Sequence, residues 1–185
     1  MKCAWAYDTT PAMRAYHDDE WGNPQHDGQR LFELLSLEIF QAGLSWQTIL
    51  QKRPALRQAF AAFNIDRVAV FGPLDVDRLV ADPAIIRNRR KILAVINNAQ
   101  VCQQIQREQS LDEYFWRMVG GEPIINHWHS PTEVPAQTAL AQTISQVMKK
   151  RGFKFVGPKI IYSFMQASGM VNDHLDGCSR KFHHD

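Results

Sequence analysis

Two pairs of side chains able to bind a metal stand far apart in this 185-residue chain: Cys3 and His17 near the start, His174 and Cys178 near the finish. His174 and Cys178 are spaced i, i+4, which on a helix puts thiol and imidazole on one face, the donor types a tetrahedral zinc site prefers. Cys3 and His17 would complete a Cys2His2 set, although thirteen intervening residues are not a local finger spacing. A surface histidine beside a buried free thiol fits the same spacing. Four protein ligands leave no open position for water, so zinc held there would be structural, a staple joining residues 3–17 to residues 174–178. His26, His127, His129, His183 and His184 are not needed for it.

The next residue with chemical potential is Glu38. It follows Leu31 by seven residues, Leu34 by four and Leu35 by three, so it falls within the apolar stripe of a helix, where a carboxylate needs a partner or a purpose. A structural acid paired to an arginine or a backbone N–H is one reading. The other comes from aromatic density: Trp5, Tyr7, Tyr16 and Trp21 crowd the first 22 residues, and Trp46 follows Glu38 by eight. Flat π-faces around one acid suit a planar, electron-poor heterocycle, held by stacking and cation–π attraction while the carboxylate reads ring nitrogens.

A third feature is the stretch Lys149 to Lys159, which has five basic residues in eleven and no acid. Gly152 and Gly157 permit close approach by a phosphate, and Pro158 opens a helix whose first N–H groups lack intrahelical acceptors and lie at the positive end of its dipole. Lys154 and Lys159 would add long-range attraction. The alternative is a helix–turn–helix corner whose lysines face water. Arg87, Arg89, Arg90 and Lys91 form a second basic cluster, read as solvated.

Elements that must position these groups follow from periodicity and punctuation. Apolar residues recur at helical spacing without internal repeats, so the expected class is all-α, one compact helical bundle over residues 1–185. Leu31, Leu34, Leu35, Ile39 and Ala42 mark one helix ending near Gly43. Ser45 caps a second from Trp46, and Pro54 is placed in the first turn of a third, Ala55 to Phe63. Asp66 and Asp75 are read as caps of two short helices, and Ile85 to Gln106 as a long central one. Ser110 with Glu113 makes a capping box for Leu111 to Val119, and residues 120–137 are read as a surface connection. Thr138 to Lys150 forms a helix stopped by Gly152, and Pro158 starts another running to Gly169, with a hairpin at about 152–158 between them.

Composition narrows the classes. With 45% hydrophobic and 22% charged residues, 10 Gly and 9 Pro, the chain is neither disordered nor collagen-like. No stretch approaches the roughly 18 apolar residues of a membrane span. Three cysteines are too few for a disulfide framework, and Met1 to Asp8 develops no secretory apolar region; a cytoplasmic protein without membrane association is expected. Residues 148–185 carry seven basic and three acidic side chains against 14 and 16 in the remainder, so the net charge of +2 conceals a basic C-terminal part.

Six blocks together resemble the bacterial 3-methyladenine DNA glycosylase I family: Cys3-Ala4-Trp5, Tyr16-His17-Asp18-Asp19-Glu20-Trp21-Gly22, Leu37-Glu38, Gln41-Ala42-Gly43-Leu44-Ser45-Trp46, Gly152-Phe153-Lys154-Phe155-Val156-Gly157 and Asn172-Asp173-His174. The likeness runs from Cys3 to Cys178. It implies a helix-hairpin-helix enzyme that acts on alkylated double-stranded DNA, flips out 3-methyladenine and hydrolyses its glycosidic bond. It also implies structural zinc on Cys3, His17, His174 and Cys178, and a pocket lined by Glu38, Tyr16 and Trp46 with Trp5 and Trp21 completing the wall. Leu44, beside Gly43, resembles the apolar residue such enzymes push into the gap left by the extruded nucleotide.

Two departures from the wider helix-hairpin-helix pattern bear on mechanism. Phe155-Val156-Gly157 replaces the usual Leu-Pro-Gly-Val-Gly hairpin, and Asp173 stands sixteen residues after Gly157, beside His174, where it is expected to orient the imidazole rather than act as a catalytic aspartate. No lysine stands out as a Schiff-base nucleophile, so a monofunctional enzyme is expected, with a monomer as the default. A non-catalytic zinc-stapled DNA-binding module would leave Glu38 and its aromatic surroundings as core; a zinc hydrolase would need an open coordination position.

Overall fold

A computed structural model describes residues 3–181. His183 and His184 lie outside them. The chain is predominantly helical: α1 (Ala4–Tyr7), α2 (Pro11–Asp19), α3 (Gly28–Gln41), α4 (Trp46–Ala59), α5 (Ile65–Ala69), α6 (Pro73–Ala81), α7 (Arg89–Gln106), α8 (Leu111–Trp116), α9 (Ala139–Arg151) and α10 (Pro158–Ala167). The all-α expectation misses one feature. Ile124–Ile125 (β1) pairs in parallel with Val171–Asn172 (β2), so the 120–137 connection is stitched to the segment leading to His174.

Helix α3 is the axis of the fold. Asp27 caps it by accepting from the Arg30 amide, and every residue from Leu31 to Phe40 is buried, Glu33 and Glu38 included. Such all-round burial is how an interior helix differs from a surface one. Helices α4, α7, α8 and α10 pack around it, and one continuous core runs from Leu31 through Phe60, Ile92 and Phe115 to Phe164.

Pro54 does not open a third helix; it lies inside α4. The proline forgoes one i→i−4 bond, yet side chains on both sides of it hold the helix to α3. Arg53 Nε and Arg57 Nε each donate to Glu33 Oε1, at 2.8 and 2.7 Å, while Ile49 and Leu56 are buried in the core. After Phe60 the chain makes a left-handed turn through Ala61, Ala62 and Phe63, with φ of 51°, 55° and 54°. No glycine relieves this conformation; the Phe60 and Phe63 rings, stacked 5.7 Å apart and both buried, offset its strain.

Other boundaries shift by a few residues. Asn64, not Asp66, caps α5 through the Arg67 amide, and α6 begins after Gly72, whose N–H donates to the Asp75 carboxylate. Helix α7 starts after its cap Asn88 rather than at Ile85. The Ser110–Glu113 capping box forms as expected, and Thr138 caps α9. Among the described residues no helix is long and apolar enough to cross a membrane.

Burial opposes ionisation of Glu33, but hydrogen bonds from Arg57 and Arg53 outweigh it and hold its carboxyl below the usual carboxylate range. A lowered acid adds stability above its unfolded pKa that is lost as pH falls through its folded one. Glu33→Gln is therefore expected to cost about 3 kcal/mol near neutrality, with the deficit narrowing at acid pH, in urea unfolding followed from pH 7 to pH 3.

Candidate active site and metal centre

The stretch from Trp5 to Trp21, α3, α4 and α10 enclose a cleft of about 180 Å³ lined by Trp5, Tyr16, Trp21, Glu38 and Trp46. All five are residues that the sequence singles out. Glu38 is only 4% exposed, and burial raises its carboxyl to about 8. It is thus a neutral acid at pH 7, with no charged group contributing to the shift. Tyr16 is fully surrounded, and burial, with Glu38 nearby, keeps its phenol protonated. Its ring centroid lies 5.0 Å from that of Trp46, tilted by 49°. The Trp46 Nε1–H is buried without a protein acceptor, the kind of orphan donor that a ligand or water satisfies.

Helical spacing explains much of this convergence and could have revealed more. Met13 and Gln41 also line the cleft; they stand three residues before Tyr16 and three after Glu38, one turn along the same faces. Ser163 and Gln166 enter from α10 with no comparable local signal. A larger cleft, about 490 Å³, lies at Asp19, Glu20, Asn23 and Arg30, where Arg30 and Glu20 pair at 3.0 Å; it lacks an aromatic wall.

The opposite face of the Trp5 and Trp21 wall rests on the Cys/His cluster. The ligand-capable atoms of Cys3, His17, His174 and Cys178 all lie within 4.8 Å of one another, and all four residues are buried. Cys178 Sγ is 3.6 Å from both His17 Nε2 and His174 Nδ1, and the two nitrogens are 3.1 Å apart. Tetrahedral zinc with ordinary bond lengths would set such edges at about 3.3 to 3.8 Å. Both imidazoles are held from behind. His17 Nδ1 lies 2.7 Å from Asp18 Oδ1, leaving Nε2 for the cluster, and His174 Nε2 lies 2.9 Å from the Trp21 carbonyl, leaving Nδ1. Burial lowers His174 to about 4 and so keeps its imidazole neutral. The cluster can therefore hold a metal ion, and Trp5 and Trp21 lie against it, with the Trp21 and His174 ring centroids 4.7 Å apart and those of Trp5 and His17 5.3 Å apart.

Asp173 does not orient His174. Its two oxygens instead accept from Asn126, Trp128, Tyr162 and Gln166, at 2.6 to 2.7 Å. This hub fastens the 120–137 segment, which is consequently more than a surface connection: Trp128 packs against Cys3, Leu175 and Cys178. His26 pairs with Asp112, and His127 and His129 with Asp176; none of the three histidines belongs to the cluster.

Just past the end of α3, Leu44 is 41% exposed beside Gly43. Helix α9 ends in a Schellman motif: Gly152, at φ 106°, donates to the Lys149 carbonyl and Phe153 to that of Met148. Asn98 of α7 fixes the hairpin by gripping both the N–H and the carbonyl of Lys154. Gly157 has φ −65°, and a Cβ there would meet nothing within 4 Å, so protein packing does not require glycine at this position. Arg151 is engaged by Glu108 at 2.5 Å, which leaves Lys149, Lys150, Lys154 and Lys159 as the exposed charge. A cleft of about 560 Å³ joins Gln41, Ala42 and Gly43 to Gly157, Pro158 and Lys159, and shares Gln41 and Ser163 with the aromatic pocket.

An aromatic box with a neutral acid inside it, opening beside a basic hairpin in a predominantly helical chain, is a site whose shape and chemistry suit a flat, polar ring. The chain belongs to the methyladenine glycosylase family, whose model matches residues 5–181. It is 44% identical to DNA-3-methyladenine glycosylase 1 of Escherichia coli (strain K12), over 96% of this chain and 95% of that one. It is 38% identical to DNA-3-methyladenine glycosylase of Haemophilus influenzae, over 97% of both. A solved structure of a Tyr-to-Phe variant of 3-methyladenine DNA glycosylase I in complex with 3-methyladenine superposes with a TM-score of 0.93 at 36% identity, over 98% of each chain.

A buried acid with a raised pKa destabilises the fold progressively as pH climbs from its unfolded value, near 4.5, through about 8. Glu38→Gln should therefore melt at a higher temperature than the unsubstituted protein at pH 8.5, with the gap closing toward pH 4.5; a pH-independent gap in scanning fluorimetry would refute the shifted acid.

Proposed function

We propose that this chain is a monofunctional DNA glycosylase of base-excision repair, a single domain acting as a monomer in the cytoplasm, that releases 3-methyladenine from alkylated duplex DNA and leaves an abasic site. The observation that carries this reading is Glu38, an acid buried without a protein cation among Tyr16, Trp46, Trp5 and Trp21. Relatives named for 3-methyladenine, one with that base bound, support the same ligand.

The chemistry follows from the substrate's charge. A 3-methyladenine nucleotide carries a positive base, so its glycosidic bond is already weak and the leaving base needs little protonation. The enzyme's task is then selection and positioning. A cationic ring entering the pocket draws Glu38 into its ionised form, and the carboxylate accepts hydrogen bonds from the 6-amino edge while Trp46 stacks on the ring. Ordinary adenine lacks the charge that makes ionising a buried acid favourable, and is rejected. Bond cleavage sends the electron pair to the base, which leaves neutral, and water adds to the sugar carbon and gives up a proton to solvent.

DNA would be held by the helix-hairpin-helix formed by α9, residues 152–157 and α10. Open space before Gly157 admits a phosphate to the first N–H groups of α10, and Lys154 and Lys159 supply charge. Leu44 would fill the gap in the stack. Zinc on Cys3, His17, His174 and Cys178 would be structural, because four protein ligands complete its coordination. The four ligands would thereby be held together, and with them the Trp5 and Trp21 wall.

Two measurements test this. Methylated duplex DNA should yield free 3-methyladenine and little 7-methylguanine by chromatography, with kcat/KM rising with pH to a plateau above about 8. In Glu38→Gln the rate should fall and the rise disappear; an unchanged rate and selectivity would remove Glu38 from recognition. Elemental analysis should find zinc, and chelation under mild denaturation should lower Tm and the excision rate together, the rate falling as the Trp5 and Trp21 wall loosens. Loss of that rate with Tm unchanged would make the metal catalytic.

A further inference from the structure

Lys91, which the sequence reads as one of four solvated cations, is 5% exposed. It occupies the first turn of α7, where the helix dipole disfavours a cation, and no carboxylate pairs with it. Burial pushes its ammonium below the usual lysine range, so two unfavourable environments coincide at one side chain. What it touches is specific. The Nζ group donates to the carbonyls of Phe40, at 2.9 Å, and Ala42, at 2.5 Å, where α3 ends and the Leu44 turn begins.

That turn has a defined geometry. Ala42 sits at φ −47°, ψ 113°, Gly43 at φ 85°, and the Leu44 N–H donates to the Gln41 carbonyl at 2.6 Å. These are the marks of a type II β-turn over residues 41–44 with glycine in the position that needs positive φ. Types I and II differ by a flip of the central peptide, here Ala42–Gly43, which reverses its carbonyl. An ammonium donating to the Ala42 carbonyl selects one orientation, since the flip would point an N–H at the cation. Its second bond, to Phe40, ties that choice to the helix that carries Glu38.

We propose that Lys91 is a positioning residue that locks the 41–44 turn in its type II form, so that Leu44 projects where it can enter the DNA stack while Glu38 receives the base. This rests on the wedge role given to Leu44 above. Lys91 touches no reacting atom. Its contribution falls on extruding a stacked nucleotide, and leaves recognition of an unstacked base intact.

The test separates those steps. DNA methylated as a duplex is assayed for 3-methyladenine release either annealed or after strand separation, with Lys91→Met keeping the stem and removing charge and donors. Release from the annealed duplex should slow about tenfold or more, as displacement of a positioned group does, with single-strand release within about twofold of the unsubstituted enzyme. Free 3-methyladenine should quench tryptophan fluorescence with unchanged affinity. Gly43→Ala, where a Cβ meets nothing within 4 Å but φ 85° is strained, should reproduce the duplex-selective loss. Should Lys91→Met not fold, Lys91→Leu, which likewise lacks charge and donors, is held to the same outcomes. Equal losses on both substrates, or none, overturn the proposal. No release by the unsubstituted enzyme, or no duplex-selective loss in Leu44→Ala, overturns the wedge reading and this proposal with it; selective loss in Leu44→Ala but not at position 91 overturns the lysine's part alone.

Discussion

Keeping an acid dry without giving it a cation is the constraint around which the rest of the molecule is arranged. An unpaired buried carboxyl is costly when ionised, so the fold must supply rigidity and apolar cover that a surface helix could not. Helix α3 meets this by being buried along ten consecutive residues and surrounded by α4, α7, α8 and α10. Its two acids are treated in opposite ways. Glu33, one turn from the start, meets Arg30, Arg53 and Arg57 and is stabilised as an anion; Glu38, near the end, has none of them and stays neutral. One helix thus contains both a structural ion-pair centre and a chemical reserve, set apart by which arginines reach them.

The aromatic wall solves a different problem. Trp5 stands on the short helix α1 and Trp21 just past the end of α2, and a pocket face needs a fixed angle. They gain it by edge packing on His17 and His174, whose own rings are fixed by Asp18 and the Trp21 carbonyl. Pocket shape and cluster geometry are therefore not independent variables. The Asp173 hub extends the same frame to Trp128 and Tyr162, so disturbance at the cluster would reach α10 and the pocket residue Gln166.

Much of this was legible in the sequence because it is written locally. The Ser45 and Ser110 caps, Gly152 at a helix end, Pro158 at a helix start and Glu38 within a leucine stripe each depend on neighbours within a turn or two. What escaped depends on distant partners. Pro54 looks like a helix start until Arg53 and Arg57 are seen to share Glu33. Lys91 looks solvated among arginines until α3 is seen to end against it. The left-handed run at Ala61 to Phe63 has no glycine to announce it, and the parallel bridge joins segments 47 residues apart, too short in itself to leave a period-two pattern. Asp173, placed beside His174 by sequence, turns away to four other donors.

The Cys/His cluster draws its donors from positions 3, 17, 174 and 178 and from nothing between. No stretch emerging early in synthesis can assemble it, since His174 and Cys178 follow Cys3 by 171 residues or more. An ion captured there would therefore bind late in assembly and would report on the steps before it, because the two halves meet only when the intervening helices have reached their places. The cluster would act as a clasp that fastens on a finished molecule and has little hold on a truncated or misfolded one.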